Sequence, residues 1–299
     1  MTYKASESPL KTHALSVRDF SVFYRTDHGP VAGVQHVGFD LGMGQRLAVV
    51  GESGSGKTTL AMALAGLLPG ETADIEYEQA EIAGSQVKAR RKPGVLPRKT
   101  PGVSMVFQDA MTSLDPVATI GHQFNTVLPS RKEKKDEGRS LAVEWIAKVG
   151  IPEPERVLKL RPYELSGGMR QRIMIALALC GSPQVLIADE PTSALDASVS
   201  RTIMDLMTDL CTDLGSALII ITHDIALARH YTDKTLVLYR GAVQDLCNSD
   251  ELESSERSSY TRALVRCVPR LSQCNLDYLP TLDRMMAEAA ASSASGEEN

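Results

Sequence analysis

The amino-acid sequence predicts an α/β protein in which a mostly parallel sheet is covered by helices on both faces. Short, continuously apolar runs such as Val185–Asp189 and Ala217–Thr222 suit strands buried on both sides. They alternate with stretches of helical length, residues 166–180 and Ala197–Leu214. A glycine-rich loop, GESGSGKTT at 51–59, joins an apolar run to an alanine- and leucine-rich segment, giving strand, loop and helix in succession.

The remaining elements follow in order. Residues 15–24 and 34–41 alternate apolar and polar side chains, as half-buried strands do, and flank the turn-rich RTDHGP. Residues 46–50 form the strand entering the glycine loop, and TTLAMALAGLL the helix leaving it. Residues 85–100, with KARRKPGVLPRK, are expected as an exposed loop whose charge is solvated. A strand follows at 103–107. Residues 121–160 are mostly helical in pattern, with the charged RKEKKDEGR as a connection between helices. Another strand is expected at 235–239. The end of the chain from Ala287, AEAAASSASGEEN, lacks large apolar residues and is expected to be disordered.

Composition narrows the function. With 299 residues, 43% of them hydrophobic, the chain can bury a large core in one or two domains. A net charge of −5 argues against nucleic-acid binding, which usually needs a basic excess. The five cysteines (Cys180, Cys211, Cys247, Cys267 and Cys274) show no metal-ligand spacing and read as reduced thiols. The first residues have no apolar core of a signal peptide, and no apolar run is long enough to cross a bilayer. The expected location is therefore the cytosol, or the cytosolic side of a membrane held through partners.

The loop at 51–59 matches GxxxxGK(S/T) without a mismatch. Gly51, Gly54 and Gly56 let the backbone turn tightly, so that the N–H groups of Glu52, Ser53, Ser55 and their neighbours point inward at phosphate. The helix that begins near Lys57 adds its positive end. Lys57 is expected to reach the β- and γ-phosphates, the Thr58 hydroxyl to ligate Mg²⁺, and Thr59 to complete the cradle.

Further along, VLIADE places Asp189 and Glu190 at the end of an apolar strand. There Asp189 can hold Mg²⁺ and Glu190 can orient and deprotonate an attacking water. LSGGMRQR then supplies an N-cap serine, Ser166, and two glycines, Gly167 and Gly168, at a second anion-binding helix start. A second such start is redundant in one phosphate-loop fold, unless it serves a nucleotide on another subunit.

LSGGMRQR followed by VLIADEPTSALD resembles the signature, Walker B and D-loop segments of ATP-binding cassette (ABC) proteins, over roughly residues 15–270. The resemblance implies a P-loop, RecA-like core with a small antiparallel β layer and an inserted helical subdomain at about 109–165. The cassette then spans 1–269, and 270–299 form a C-terminal extension and tail. It also implies roles. Gln108 in MVFQD is similar to the Q-loop glutamine, with a place at both catalysis and Mg²⁺, and His223 in IITHD to the switch histidine. Tyr24 takes the place of the aromatic that stacks on adenine, although residue type alone leaves it open to packing in the core. His13, His28, His36, His122 and His230 share no spacing and read as structural or solvated.

The segments MVFQDAMTSLDPVATIGHQ, RVLKLRPYELSGGMRQRIMIALAL and SYTRALVRCVP resemble the oligopeptide/nickel importer branch. That implies an ATPase at the cytoplasmic face of the inner membrane, working with ATP and Mg²⁺. Its partners would be two membrane permeases, a second related ATPase and an extracytoplasmic solute-binding protein. Many peptide-transporting members carry a cysteine cluster for an iron–sulfur centre. Only Cys267 and Cys274 lie in that region, so no cluster is expected, and either a di/oligopeptide or a nickel or metal-chelate solute fits. The alternative is a non-transport ABC ATPase of nucleic-acid or ribosome metabolism. It lacks support because there is neither a sustained heptad pattern nor a second cassette.

Overall fold

The chain is described here by a computed structural model covering residues 13–87, 99–109, 113–128, 135–193 and 195–267. Its strands are β1 (His13–Thr26), β2 (Gly29–Gly42), β3 (Arg46–Val50), β4 (Ala73–Glu76), β5 (Gln79–Ile82), β6 (Ser85–Gln86), β7 (Val103–Val106), β8 (Val185–Asp189), β9 (Ala217–Thr222), β10 (Lys234–Tyr239) and β11 (Ala242–Asn248). Its helices are α1 (Lys57–Ala65), α2 (Ile120–Val127), α3 (Lys135–Lys148), α4 (Pro154–Val157), α5 (Gly167–Leu179), α6 (Ala197–Leu214), α7 (Ile225–Tyr231) and α8 (Ser259–Arg266).

The strands join in the order β6-β5-β1-β2-β11-β10-β3-β9-β8-β7, with β4 on β1. From β10 to β7 every pairing is parallel, so the carboxyl ends of β3, β9, β8 and β7 all open on one edge. The strands around β1 pair antiparallel. This antiparallel layer meets the parallel part where Gln35 of β2 pairs with Ala242 of β11.

Side-chain alternation assigns the two faces of the parallel sheet. Val185 and Ile187 of β8 join a core with Leu60, Ala61 and Leu64 of α1 and with Phe20, Val22 and Phe39 of the antiparallel layer. Helix α1 is thus packed between the two sheet portions. The alternate residues Leu186 and Ala188 join a second core with α5, α6 and the helices α2 and α3. A helix following a parallel strand must cover one face or the other, because both faces are apolar.

Several expectations are revised. The RTDHGP connection is shorter than its composition suggests, because Arg25 pairs with Pro30 and Thr26 with Gly29, leaving a two-residue hairpin of Asp27 and His28. Gly29, at φ +108°, makes that reversal possible. The described part of RKEKKDEGR belongs to α3 rather than to a connection. Ser85 and Gln86, expected in a loop, pair with Ile82 and Glu81; residues 88–98 lie outside the described residues, as do Cys274 and the tail from Ala287. Strands β4, β5 and β11 and helix α7 are not expected from the sequence; β4 and β5 have four residues each, and β11, AVQDLCN, has no run of apolar or regularly alternating side chains.

Candidate active site

Four loops leave the carboxyl ends of neighbouring parallel strands, the place where open α/β sheets bind ligands. The loop after β3 holds 51–56, and those after β8 and β9 begin with Glu190 and His223. Gln108 follows β7 by two residues.

The glycine loop is built by close backbone approach. Gly51 has φ +153°, and a Cβ there would stand 2.2 Å from the carbonyl oxygen of Leu238. Gly56 has φ +102°, with the carbonyl oxygen of Gly33 2.4 Å from where a Cβ would be. Lys57 is buried and donates to the carbonyl oxygens of Gly51 at 2.9 Å and Glu52 at 2.7 Å. Burial pushes its pKa down, and the carboxylates of Glu190, Asp189 and Glu52 oppose that shift. Among the described residues, the buried Ser55 hydroxyl has no hydrogen-bond partner. Leaving such a group unsatisfied costs about 1–3 kcal/mol.

Thr58 donates to Asp189 Oδ1 at 3.4 Å, which brings a hydroxyl and a carboxylate together as hard oxygen donors. Desolvation raises the Asp189 pKa, the Thr58 hydrogen bond opposes it, Glu190 adds to it and Lys57 again lowers it. A buried cation and a hydroxyl–carboxylate oxygen pair suit a nucleoside triphosphate and its magnesium. The N–H groups of Glu52 and Ser55, expected to face phosphate, donate instead to the Tyr260 hydroxyl and to Glu52 O.

Glu190 adopts φ +45°, a conformation rare for a side chain of its kind, while its N–H donates to Ile221 O at 2.9 Å. Its carboxylate then lies between two partners. His223 Nδ1 is 3.2 Å from Oε1, and Gln108 Nε2 donates to Oε2 at 3.5 Å. Gln108 therefore meets Glu190; no hydrogen bond joins it to Thr58 or Asp189 among the described residues. Tyr24 shares a 3.0 Å hydrogen bond with Thr59 of α1, so it borders the loop on the antiparallel side.

Ser166, Gly167 and Gly168 stand apart from this cluster. Ser166 caps α5 by accepting from Met169 N at 3.3 Å, and Ser166 and Gly168 line a hollow with Gly150, Arg172 and Ser198 that includes no residue of the glycine loop. Two residues that matter here lie in the quoted segments LSGGMRQR and SYTRALVRCVP, but the sequence assigns neither a role of its own. Gln171, buried in α5, donates to Pro191 O at 2.7 Å and braces the loop beyond Glu190. Tyr260 of α8 accepts from Glu52 N at 3.3 Å.

A phosphate loop facing Asp189, Glu190 and His223 on one edge of a parallel sheet defines a P-loop nucleotide-binding ATPase. The ABC transporter family profile matches residues 34–193. The chain is 39% identical over 264 residues to the oligopeptide transport ATP-binding protein OppD of Escherichia coli K12, covering 86% of this chain and 76% of that protein. It is 35% identical over 272 residues to OppD of Bacillus subtilis (91% and 76% covered), and 35% identical over 268 residues to the dipeptide transport ATP-binding protein DppD of Haemophilus influenzae (87% and 78%). Among solved structures, cbiO1 of Clostridium perfringens, part of the ABC transporter complex cbiONQ, superposes with a TM-score of 0.64 at 26% identity, covering 82% of this chain and 92% of that one. The chain belongs to the ABC transporter family.

Proposed function

We propose that this chain is the ATP-binding and hydrolysing subunit of an importer for di- or oligopeptides. The observation that carries the reading is the convergence of Gln108, Glu190 and His223, from three adjacent strand ends, beside the loop that buries Lys57. The peptide substrate follows the names of the relatives; a metal chelate is the other solute the sequence resemblance admits.

The chain's own residues divide the work. Lys57 and the N–H groups of 51–59, apart from that of Glu52, which the Tyr260 hydroxyl accepts, bind the β- and γ-phosphates, and Tyr24 lies against the adenine. Thr58, Asp189 and Gln108 would hold Mg²⁺, which when bound neutralises charge on the phosphate oxygens. Glu190 orients water and accepts its proton, while Gln108 and His223 hold the two carboxylate oxygens in place. Ser166, Gly167 and Gly168 cover the nucleotide of a second, related ATPase. We read 109–165 as an inserted helical subdomain of a cassette spanning 1–269, with 270–299 beyond it. The subunit sits on the cytoplasmic face of the membrane against two permeases, which receive solute from an extracytoplasmic binding protein. No described helix is long and apolar enough to cross a membrane.

Glu190→Gln tests the reading in the assembled complex. A neutral amide fits the site but cannot take a proton at neutral pH, so turnover should fall by about 10²-fold or more with ATP binding retained. Hydrolysis near the wild-type rate would remove Glu190 from the role assigned to it.

A further inference from the structure

Helix α8 touches the phosphate loop at Glu52, through a side chain to which no role has been assigned. Ser258 caps α8 by accepting from Thr261 N at 3.1 Å. Asp245 of β11 accepts from Ser258 N at 3.0 Å and from the Thr261 hydroxyl, so the start of α8 is tied to the sheet. Thr261 is 0% exposed and Tyr260 1% exposed, which leaves this turn no room to drift.

Tyr260 is thereby driven into a core with Val50 of β3, Ile225 and Ala228 of α7, and Val237 of β10. Its ring lies 4.3 Å from that of Tyr239, centroid to centroid. At the end of the ring, the hydroxyl accepts the N–H of Glu52 at 3.3 Å. That N–H belongs to the same peptide group as the Gly51 carbonyl, which receives Lys57 at 2.9 Å; the next carbonyl, of Glu52, receives it at 2.7 Å. The peptide group is held at both polar ends, from one side by the lysine and from the other by α8.

We propose that Tyr260 is a positioning residue of the nucleotide site, fixing the Gly51–Glu52 peptide group so that the loop keeps its shape when Lys57 turns to phosphate. The proposal rests on the P-loop reading above. In that reading Lys57 must leave the two carbonyls to meet the β- and γ-phosphates. The loop then loses both of these contacts at the moment its N–H groups must converge. A hydroxyl anchored in a buried core keeps the ordering in place beforehand, and preorganisation of this kind appears as affinity. Burial also pushes the Tyr260 phenol up, so it stays neutral across the physiological range.

The test uses the full-length chain and calorimetric titration with MgATP and with ADP. Tyr260→Phe keeps the ring and its packing and deletes only the acceptor. Losing one net hydrogen bond should weaken both nucleotides about three- to tenfold. The melting temperature of the nucleotide-free protein should move by no more than about 2 °C. Tyr239→Phe, which alters the neighbouring ring but not the loop contact, should leave both affinities unchanged. An unchanged nucleotide affinity in Tyr260→Phe overturns the proposal, whether or not the melting temperature falls, because that pattern is purely structural. An equal loss in Tyr239→Phe also overturns it, by assigning the effect to ring packing. Lys57→Ala separates the two levels. If it abolishes binding while Tyr260→Phe does nothing, only the role of Tyr260 is lost. If Lys57→Ala itself binds normally, the phosphate site is elsewhere and both readings fall.

Discussion

Glu190 and Gly51 each occupy a backbone conformation that their chemistry demands rather than one that is easy to adopt. Glu190 accepts φ +45° because its N–H is held by Ile221 of the neighbouring strand, and that turn presents its carboxylate to Gln108 and His223 together. Strain of this kind costs on the order of 1–3 kcal/mol and persists only where surrounding structure enforces it. Gly51 is constrained by contact instead. Gly51→Ala would place a methyl group 2.2 Å from Leu238 O and 2.7 Å from the Ser55 hydroxyl, and the first of these is backbone that cannot rotate away. We expect a loss of about 1–3 kcal/mol in unfolding free energy from the overpacking. Nucleotide binding should be lost with it, as the loop is forced open. Denaturant unfolding and ATP titration check both parts; an alanine variant of wild-type stability and affinity would contradict the crowding argument.

Helix α5 joins two parts of the molecule at the scale of elements. Its N-cap, Ser166, is exposed, while five residues on Gln171 is buried against the loop after β8. Because α5 carries both, movement of its first turn reaches the segment that holds Glu190. Gln171→Leu fills a similar volume but leaves Pro191 O without its donor, which should cost about 1–3 kcal/mol. ATPase rate in the assembled complex should fall further than ATP affinity does, since the phosphate loop is untouched. A variant with wild-type unfolding midpoint and wild-type rate would show that the brace is dispensable. Elements also divide by how legible they were. Strand β8 and helix α6 begin and end where the sequence pattern places them, because a continuously apolar run and an Asp196 cap are local signals. Strands β4 to β6 are four residues or shorter and are specified by pairing with β1 and with each other, partners remote or merely adjacent that no periodicity encodes.

The placement of α1 and α5 on opposite faces of the parallel sheet governs the whole molecule. The glycine loop and the Ser166 helix start therefore share no hydrogen bond among the described residues, and a single chain would carry two half-sites. In the proposed pairing of two cassettes, each half-site would complete the other. An isolated chain should bind ATP but hydrolyse it slowly, because losing preorganised N–H donors typically costs about 10²-fold or more in rate. Ser166→Arg should spare this chain's own binding of ATP and suppress hydrolysis at its partner's loop. Steady-state ATPase measured at nanomolar concentration, and again with the partner ATPase and permeases, provides the check. Full activity from the dilute single chain would eliminate the composite site.

Gln108 and His223 take their roles from resemblance to a family; the sequence by itself determined the phosphate loop, the Asp189–Glu190 pair, the Ser166 helix start and the alternation of buried strands with helices. Each of these is written in contiguous residues: a glycine spacing, an apolar run ending in carboxylates, a cap before two glycines. Only the tertiary structure decided that Glu190 turns into a left-handed conformation between Gln108 and His223, that Gln171 braces the loop beyond it, and that Tyr260 reaches back 208 residues to the peptide group holding Lys57. Those facts depend on which strand ends become neighbours and which helix covers which face. Packing of the whole sheet sets both, and no local pattern of side chains records them.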